Sequence, residues 1–191
     1  VGEVVDGAPT MLTLELATLA RQMAEAAGGE ARAVLVGTGA AAAGEEAAKY
    51  GPDVLAVEAD ASSVAYPQVV APRLAKLVEQ HAPDYLLLPA SNDGKDICGL
   101  LLGLTDMPVL VNGAGVEWSD GGPQVEMSTY GGKLVTHSGF TAQRGMILVR
   151  PATVAAEAAA SPGKVETLTV DGVEELPAVS VKERVEEAGA A

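Results

Sequence analysis

Asp84-Tyr-Leu-Leu-Leu-Pro-Ala-Ser-Asn-Asp-Gly-Lys-Asp-Ile-Cys-Gly-Leu-Leu-Leu-Gly-Leu-Thr-Asp-Met-Pro-Val-Leu-Val-Asn-Gly113 changes its hydropathic period twice, and its reading decides the fold. Residues 85–88 are a continuous apolar run stopped by Pro89, the pattern of a strand buried on both faces of a parallel sheet. Ser91, Asn92, Asp93 and Gly94 supply turn chemistry, and Asp93 or Asn92 can cap a short apolar helix starting near Lys95. Pro108 resets the chain, and residues 109–111 read as another buried strand. The unit is a strand-helix-strand crossover, and loops at the carboxyl ends of such strands are where open sheets hold ligands.

The same alternation extends toward the amino terminus. Residues 11–23 place apolar groups at spacings of three and four and end at Gly28-Gly29, which predicts the first helix. Residues 31–36 and 54–57 read as buried strands, and residues 69–81 as a helix with Pro72 in its first turn, where a missing amide is tolerated. Ahead of all this, residues 1–5 read as a strand whose first residues are missing, since no initiating methionine precedes Val1.

Beyond Gly113 the character changes. Val116, Trp118, Val125, Met127 and Tyr130 alternate around a Ser119-Asp-Gly-Gly-Pro123 turn, which predicts an antiparallel hairpin. Residues 133–137 and 146–150 give two further strands. Residues 152–163 are alanine-rich and read as a loop with some helix, followed by strand-like runs at 165–170 and 179–185 and an acidic tail. Glu174-Glu175 and Glu186-Glu187 in that tail read as a solvated face.

Composition bounds the function. A chain of 191 residues with 48% hydrophobic content can bury a full core. Asp and Glu number 26 against 12 Lys and Arg, a net charge of -14, which argues against nucleic acid and anionic membranes as partners. No apolar run approaches the roughly 18 residues of a membrane span, and no basic-then-apolar leader opens the chain, so a cytoplasmic location is expected. The single cysteine, Cys98, reads as a small buried hydrophobe. Paired-cysteine zinc patterns, phosphate loops and nucleophile elbows are missing, and with only His81 and His137 there is little material for histidine acid-base work, so neither a catalytic residue nor a metal ligand is expected. His81 ends its helix, where it meets the helix dipole.

One motif points toward a nucleotide. Gly37-Thr-Gly-Ala-Ala-Ala42 follows a strand and matches the dinucleotide fingerprint, with Glu58 about twenty residues on. A tight turn in an alanine-rich stretch is the competing reading, and we favour it because short glycine patterns recur by chance. Gly37 and Gly39, with Ser91, Asn92, Gly94 and Lys95 of the central loop, are the cofactor-binding candidates.

Taken in order, Thr13-Leu-Glu-Leu-Ala-Thr-Leu-Ala-Arg21, Tyr50-Gly51, Leu87-Leu88-Pro89-Ala90-Ser91 with Gly94-Lys95-Asp96, Tyr130-Gly-Gly-Lys133 and Val149-Arg150-Pro151 resemble the amino-terminal domain of an electron-transfer flavoprotein alpha subunit. The resemblance implies a three-layer α/β/α fold with a mainly parallel sheet, Rossmann-like and of the adenine nucleotide alpha hydrolase-like kind, extended by an antiparallel hairpin. Residues 1–154 would form this domain, and 155–191 a linker and acidic tail leading to a second domain.

That second domain, with a Ser-Gly-Gly-Arg-Gly opening and a Gly-Ile-Ser-Gly-Ala flavin motif, is what binds FAD in the family, and neither motif occurs in these residues. The resemblance therefore implies a redox-silent scaffold and not an enzyme, with any AMP held by the beta subunit. The complete protein would carry electrons from flavin dehydrogenases, such as those acting on acyl-CoA in fatty acid beta-oxidation, to a quinone reductase. It further implies a heterodimer in which Trp118, Met127, Tyr130 and Phe140 face the beta subunit, or a second copy of the isolated domain. The alternative is a free-standing adenine-nucleotide-binding domain using the Gly37 turn or the Ser91 loop.

Overall fold

The computed structural model describes residues 1–173, 176 and 179–183. The chain opens with a tight hairpin, β1 (Val4–Val5) and β2 (Ala8–Pro9), around Asp6 and Gly7, both at positive φ. Helix α1 (Met11–Ala27) follows, with the Thr10 side chain accepting from the Thr13 amide and Gly28 closing it in the left-handed conformation. Strand β3 (Arg32–Val36), helix α2 (Ala40–Ala47), a 3-10 turn (Ala48–Tyr50) and strand β4 (Asp53–Val57) come next.

Helix α3 (Tyr66–His81) begins three residues before the periodicity suggests, because Pro67 can open a helix where no amide is needed. Pro72 consequently lies in the helix interior rather than in its first turn. Strand β5 (Tyr85–Pro89) leads to helix α4 (Asn92–Thr105). Its cap is Ser91, not Asn92 or Asp93: the Ser91 hydroxyl accepts from the Gly94 amide at 2.9 Å, so the helix starts ahead of Lys95. Then come β6 (Val109–Ser119), β7 (Gly122–Thr129), β8 (Leu134–Ser138), β9 (Gly145–Val149) and β10 (Val165–Leu168).

Strands β10, β4 and β3 form a parallel sheet in that order, and β5, β9, β6, β7 and β8 form a mixed one. The first two residues join them. Gly2 pairs in parallel with Leu35 and its amide donates to the Val34 carbonyl at 2.9 Å, while the Val1 nitrogen donates to the Leu87 carbonyl at 2.7 Å. Strand β9 inserts between β5 and β6, so the two ends of the central crossover are next-but-one neighbours.

Alternation along the strands shows why three layers form. Val36, Val57, Leu88, Met146 and Leu148 join α3 and α4 in one apolar cluster, whereas Leu35, Val54, Leu87, Ile147 and Val149 face α1 and α2. Both faces of the parallel strands are thus buried, as their unbroken apolar runs require. The result is a three-layer α/β/α, Rossmann-like fold with an antiparallel extension.

The hairpin is as the alternation predicts, with Asp120 and Gly121 both at positive φ in a two-residue turn. Strand β6 is longer than the run 109–111 suggests, since it serves β9 first and β7 afterwards. A register shift between Leu110 and Gly113 bends it, and Asn112 sits at φ 62 with its side-chain amide donating to the Ser128 carbonyl at 2.6 Å. The bend turns Val111 outward to 53% exposure, against the expectation of a buried position.

Residues 152–163 contain no helix. Their backbone is tied to the first layer instead, through Glu157 to Thr18, Ala159 to Lys49 and Gly163 to Ala48. β10 then lies parallel along β4 at the sheet edge. Of the run 179–185, residues 179–183 are described and carry one bridge, from Ser180 to Val64. The glutamate pairs at 174–175 and 186–187 lie outside the described residues.

Candidate functional site

Three features sit at the carboxyl ends of the parallel strands, where a ligand of this fold is sought. The first is the glycine turn. Gly37 donates to the Val57 carbonyl at 3.0 Å, and Gly39, at φ 79, caps α2. Glu58 does not stand off at ribose distance. Its carboxylate accepts from the Gly39 and Ala41 amides, both at 2.9 Å. A carboxylate therefore already fills the helix amino terminus, where a pyrophosphate would need those same donors. The turn of the first hairpin crowds it further, since a Cβ on Gly39 would lie 2.8 Å from the Gly7 Cα. As it stands this turn does not fit the pyrophosphate of a dinucleotide or a flavin.

The second feature is the Ser91 loop. Ser91 caps α4 and donates its hydroxyl to the carboxylate of Glu3, which is 9% exposed. Glu3 is held in turn through its backbone, its amide donating to the Thr13 hydroxyl at 2.8 Å and its carbonyl accepting from it at 3.1 Å. Gly94 lets α4 approach the end of β5: a Cβ there would sit 1.9 Å from the Pro89 carbonyl oxygen. Tyr66 closes the same region, donating to the Val36 carbonyl at 2.8 Å, and burial pushes its phenol up to about 12. Ser91 and Gly94 are thus committed to structure, while Asn92 and Lys95 are exposed.

Lys95 belongs to the third feature, a cleft of about 610 Å³ between α4 and the ends of β5, β9 and β6. Arg150 and Asn112 share it, with Val111 and Leu102 on its apolar wall. Cys98 contributes to its floor, and burial raises that thiol to about 11, which makes it a poor nucleophile at neutral pH. Among the described residues no cluster of three His, Cys, Asp or Glu could hold a metal, and no helix is long and apolar enough to cross a membrane.

The four aromatic and thioether residues of the hairpin region divide. Trp118 and Phe140 pack about Tyr85, with ring centroids at 5.9 and 5.8 Å, and join Met127 against the cluster under α1. Gly145 makes room for Phe140, since a Cβ there would meet its ring at 2.4 Å. Tyr130 alone stands free, 80% exposed, beside the edge strand β8, where Leu134 and Val135 are 48% and 47% exposed. Leu134 and Val135 escape a reading of the sequence because two adjacent apolar residues in a strand predict one buried face, whereas this strand has both faces open. Arg150 and Asn112 escape it too, as cleft members that meet Lys95 only through the sheet.

No curated protein matches the chain. The family model described as the electron transfer flavoprotein domain matches residues 1–173, which takes in both sheets, β10 and all three features at their carboxyl edge, and the chain belongs to that family.

Proposed function

We propose that this chain is the amino-terminal scaffold domain of an electron-transfer flavoprotein alpha subunit, working in the cytoplasm. Members of the family are electron carriers rather than enzymes. In this reading FAD is held elsewhere in the complete protein, which takes electrons from flavin dehydrogenases, such as acyl-CoA dehydrogenases, and delivers them to a quinone reductase. The chemistry is the flavin's, and this domain supplies docking and orientation. Residues 1–154 are the α/β body and 155–191 its outgoing segment, with β10 stitched onto β4.

The observation that carries the docking role is β8. An edge strand with exposed Leu134 and Val135, and with exposed Tyr130 in the turn leading into it, offers unpaired backbone and apolar side chains together, which is what a partner sheet or a second subunit takes up. The partner is the beta subunit, and in its absence a second copy of the domain. Tyr130→Asp tests this, because the side chain stands clear of the core. The variant is expected to keep its circular dichroism spectrum and melting point and to lose at least tenfold in capture of a purified beta subunit. A folded variant that binds undiminished would remove the role of this edge.

The cleft holding Lys95 and Arg150 supports a second reading, an adenine-nucleotide-binding domain. Calorimetric titration with ATP, AMP, FAD and NAD separates the two: tight binding of any one favours the nucleotide reading, and four flat titrations favour the scaffold.

A further inference from the structure

Helix α4 lies over β5 and β9, and among the described residues no α-helix follows it, because after β6 the chain turns back into its hairpin. The strip of sheet left beside α4 is the cleft of about 610 Å³. Small-molecule sites ordinarily measure about 300–1,000 Å³. The lining of this one is divided along its length. Lys95, in the first turn of α4, and Arg150, one residue beyond β9, both lie at the carboxyl end of the strands. Leu102 lies two turns further down α4, about 10 Å away, and Val109 opens β6 at the same lower end. Val111, turned outward by the bend in β6, stands between them. One end of the cleft is cationic and the rest is apolar.

The two cations are conspicuous by their company. With 26 acidic residues against 12 basic ones, a carboxylate is within easy reach of most of this surface. Arg21, Lys49 and Lys76 each meet a glutamate. The Lys95 and Arg150 side chains make no hydrogen bond or ion pair among the described residues, and no described acidic residue lines the cleft, Asp93 and Asp96 of α4 standing outside it. Two free cations at one end of an apolar cleft are the pattern of a charged head and an uncharged body.

The lining also sets what does not fit. No aromatic residue lines the cleft to stack on a purine, and Asn112 already donates its side-chain amide to the Ser128 carbonyl. The donors left for an anion are those of Lys95 and Arg150, which match one carboxylate better than a chain of phosphates. Cys98 beneath them is buried and stays a neutral thiol, so it adds apolar surface and no charge. We propose that this cleft binds a small organic monoanion, a carboxylate on an aliphatic body of roughly six to ten carbons, the length that about 10 Å of helix can cover. The carboxylate lies between Lys95 and Arg150, and the body runs along Val111 toward Leu102 and Val109. This site stands apart from the edge strand β8 and does not depend on the scaffold role.

Titration of the chain with octanoate, followed by calorimetry and by backbone amide NMR, tests the proposal. Octanoate should bind with a dissociation constant below about 1 mM. Octanol, which lacks the charge, and butanoate, which lacks most of the body, should each bind at least about tenfold more weakly. Inorganic phosphate and AMP should bind more weakly than octanoate. The amides of Gly99, Val111 and Asn112 should shift as octanoate fills the cleft. Lys95→Ala and Arg150→Ala, both at exposed side chains, should each weaken octanoate about tenfold without lowering the melting point, whereas Lys133→Ala, an exposed cation ahead of β8, should leave it unchanged. A dissociation constant above that limit, octanol binding as tightly as octanoate, or shifts centred on Leu134 and Val135 would overturn the site. Tighter binding of AMP than of octanoate would overturn it in favour of a nucleotide.

Discussion

Replacing Gly94 by alanine adds one methyl group to a protein rich in alanine, yet the structure makes it a severe change. The new Cβ would lie 1.9 Å from the Pro89 oxygen and 2.9 Å from two other Pro89 atoms, where ordinary contact begins at 3.4 Å. The obstacle is backbone at the end of β5, so α4 must withdraw by about 1.5 Å. Withdrawal loosens Ile97, Cys98 and Leu101, which are 1%, 3% and 0% exposed, and stretches the 2.9 Å bond from the Gly94 amide to Ser91. Overpacking and a weakened cap together cost about 3–4 kcal/mol. Alanine returns about 0.5–1 kcal/mol through its helix propensity, leaving a net loss of about 2–3 kcal/mol, or about 4–12 °C in melting midpoint. Gly99→Ala is the matched control. It lies in the same helix with open space at its Cβ and should raise stability by about 0.5–1 kcal/mol. Urea unfolding of both variants measures the contrast, and a Gly94→Ala midpoint at or above that of wild type would refute the close-approach argument.

Two other outcomes are expected. Glu58→Ala should cost about 1 kcal/mol by releasing the Gly39 and Ala41 amides, and phosphate should partly restore the variant in thermal melts while leaving wild type unchanged. Cys98, buried with its thiol near 11, should react with a disulfide reagent at pH 8 at least 100-fold more slowly in the folded chain than in denaturant, and fast labelling of the native protein would show that the cleft floor is open.

Much of this fold is legible in the chain because each parallel strand is marked by a run that only double burial explains. Residues 31–36, 54–57 and 85–88 fall within one residue of β3, β4 and β5, and the Asp120-Gly121 turn announces its hairpin. What the chain hides is non-local. Nothing in Gly145-Met-Ile-Leu-Val149 says that it slides between β5 and β6, and nothing in the Ala152 to Gly163 stretch shows that its amides will find Thr18, Lys49 and Ala48. Alanine content favours a helix there by propensity, and tertiary hydrogen bonds override it. Glu58 was legible as an acid at the right distance from a glycine turn. That spacing alone does not distinguish an acid that meets a ribose from one that folds back onto the amides of its own turn.

The same limit governs the hairpin, and there it bears on function. Period-two alternation puts Trp118 on one face of its strand and fixes its neighbours there, but it carries no sign saying which face is inside. The deciding term is the apolar stripe of α1, where Leu12, Leu16, Leu19 and Met23 need cover and draw Trp118, Met127 and Phe140 toward them. That stripe ends before β8. The outermost strand therefore has no helix to pack against on either side, and its apolar residues remain exposed whichever way they point. The face that looks aromatic in sequence is half-buried against the cluster under α1, and the apolar residues left most exposed are on the strand beyond the reach of α1. The exposure of β8 follows from the length and placement of one helix, a property of the assembled layers that no stretch of the hairpin contains.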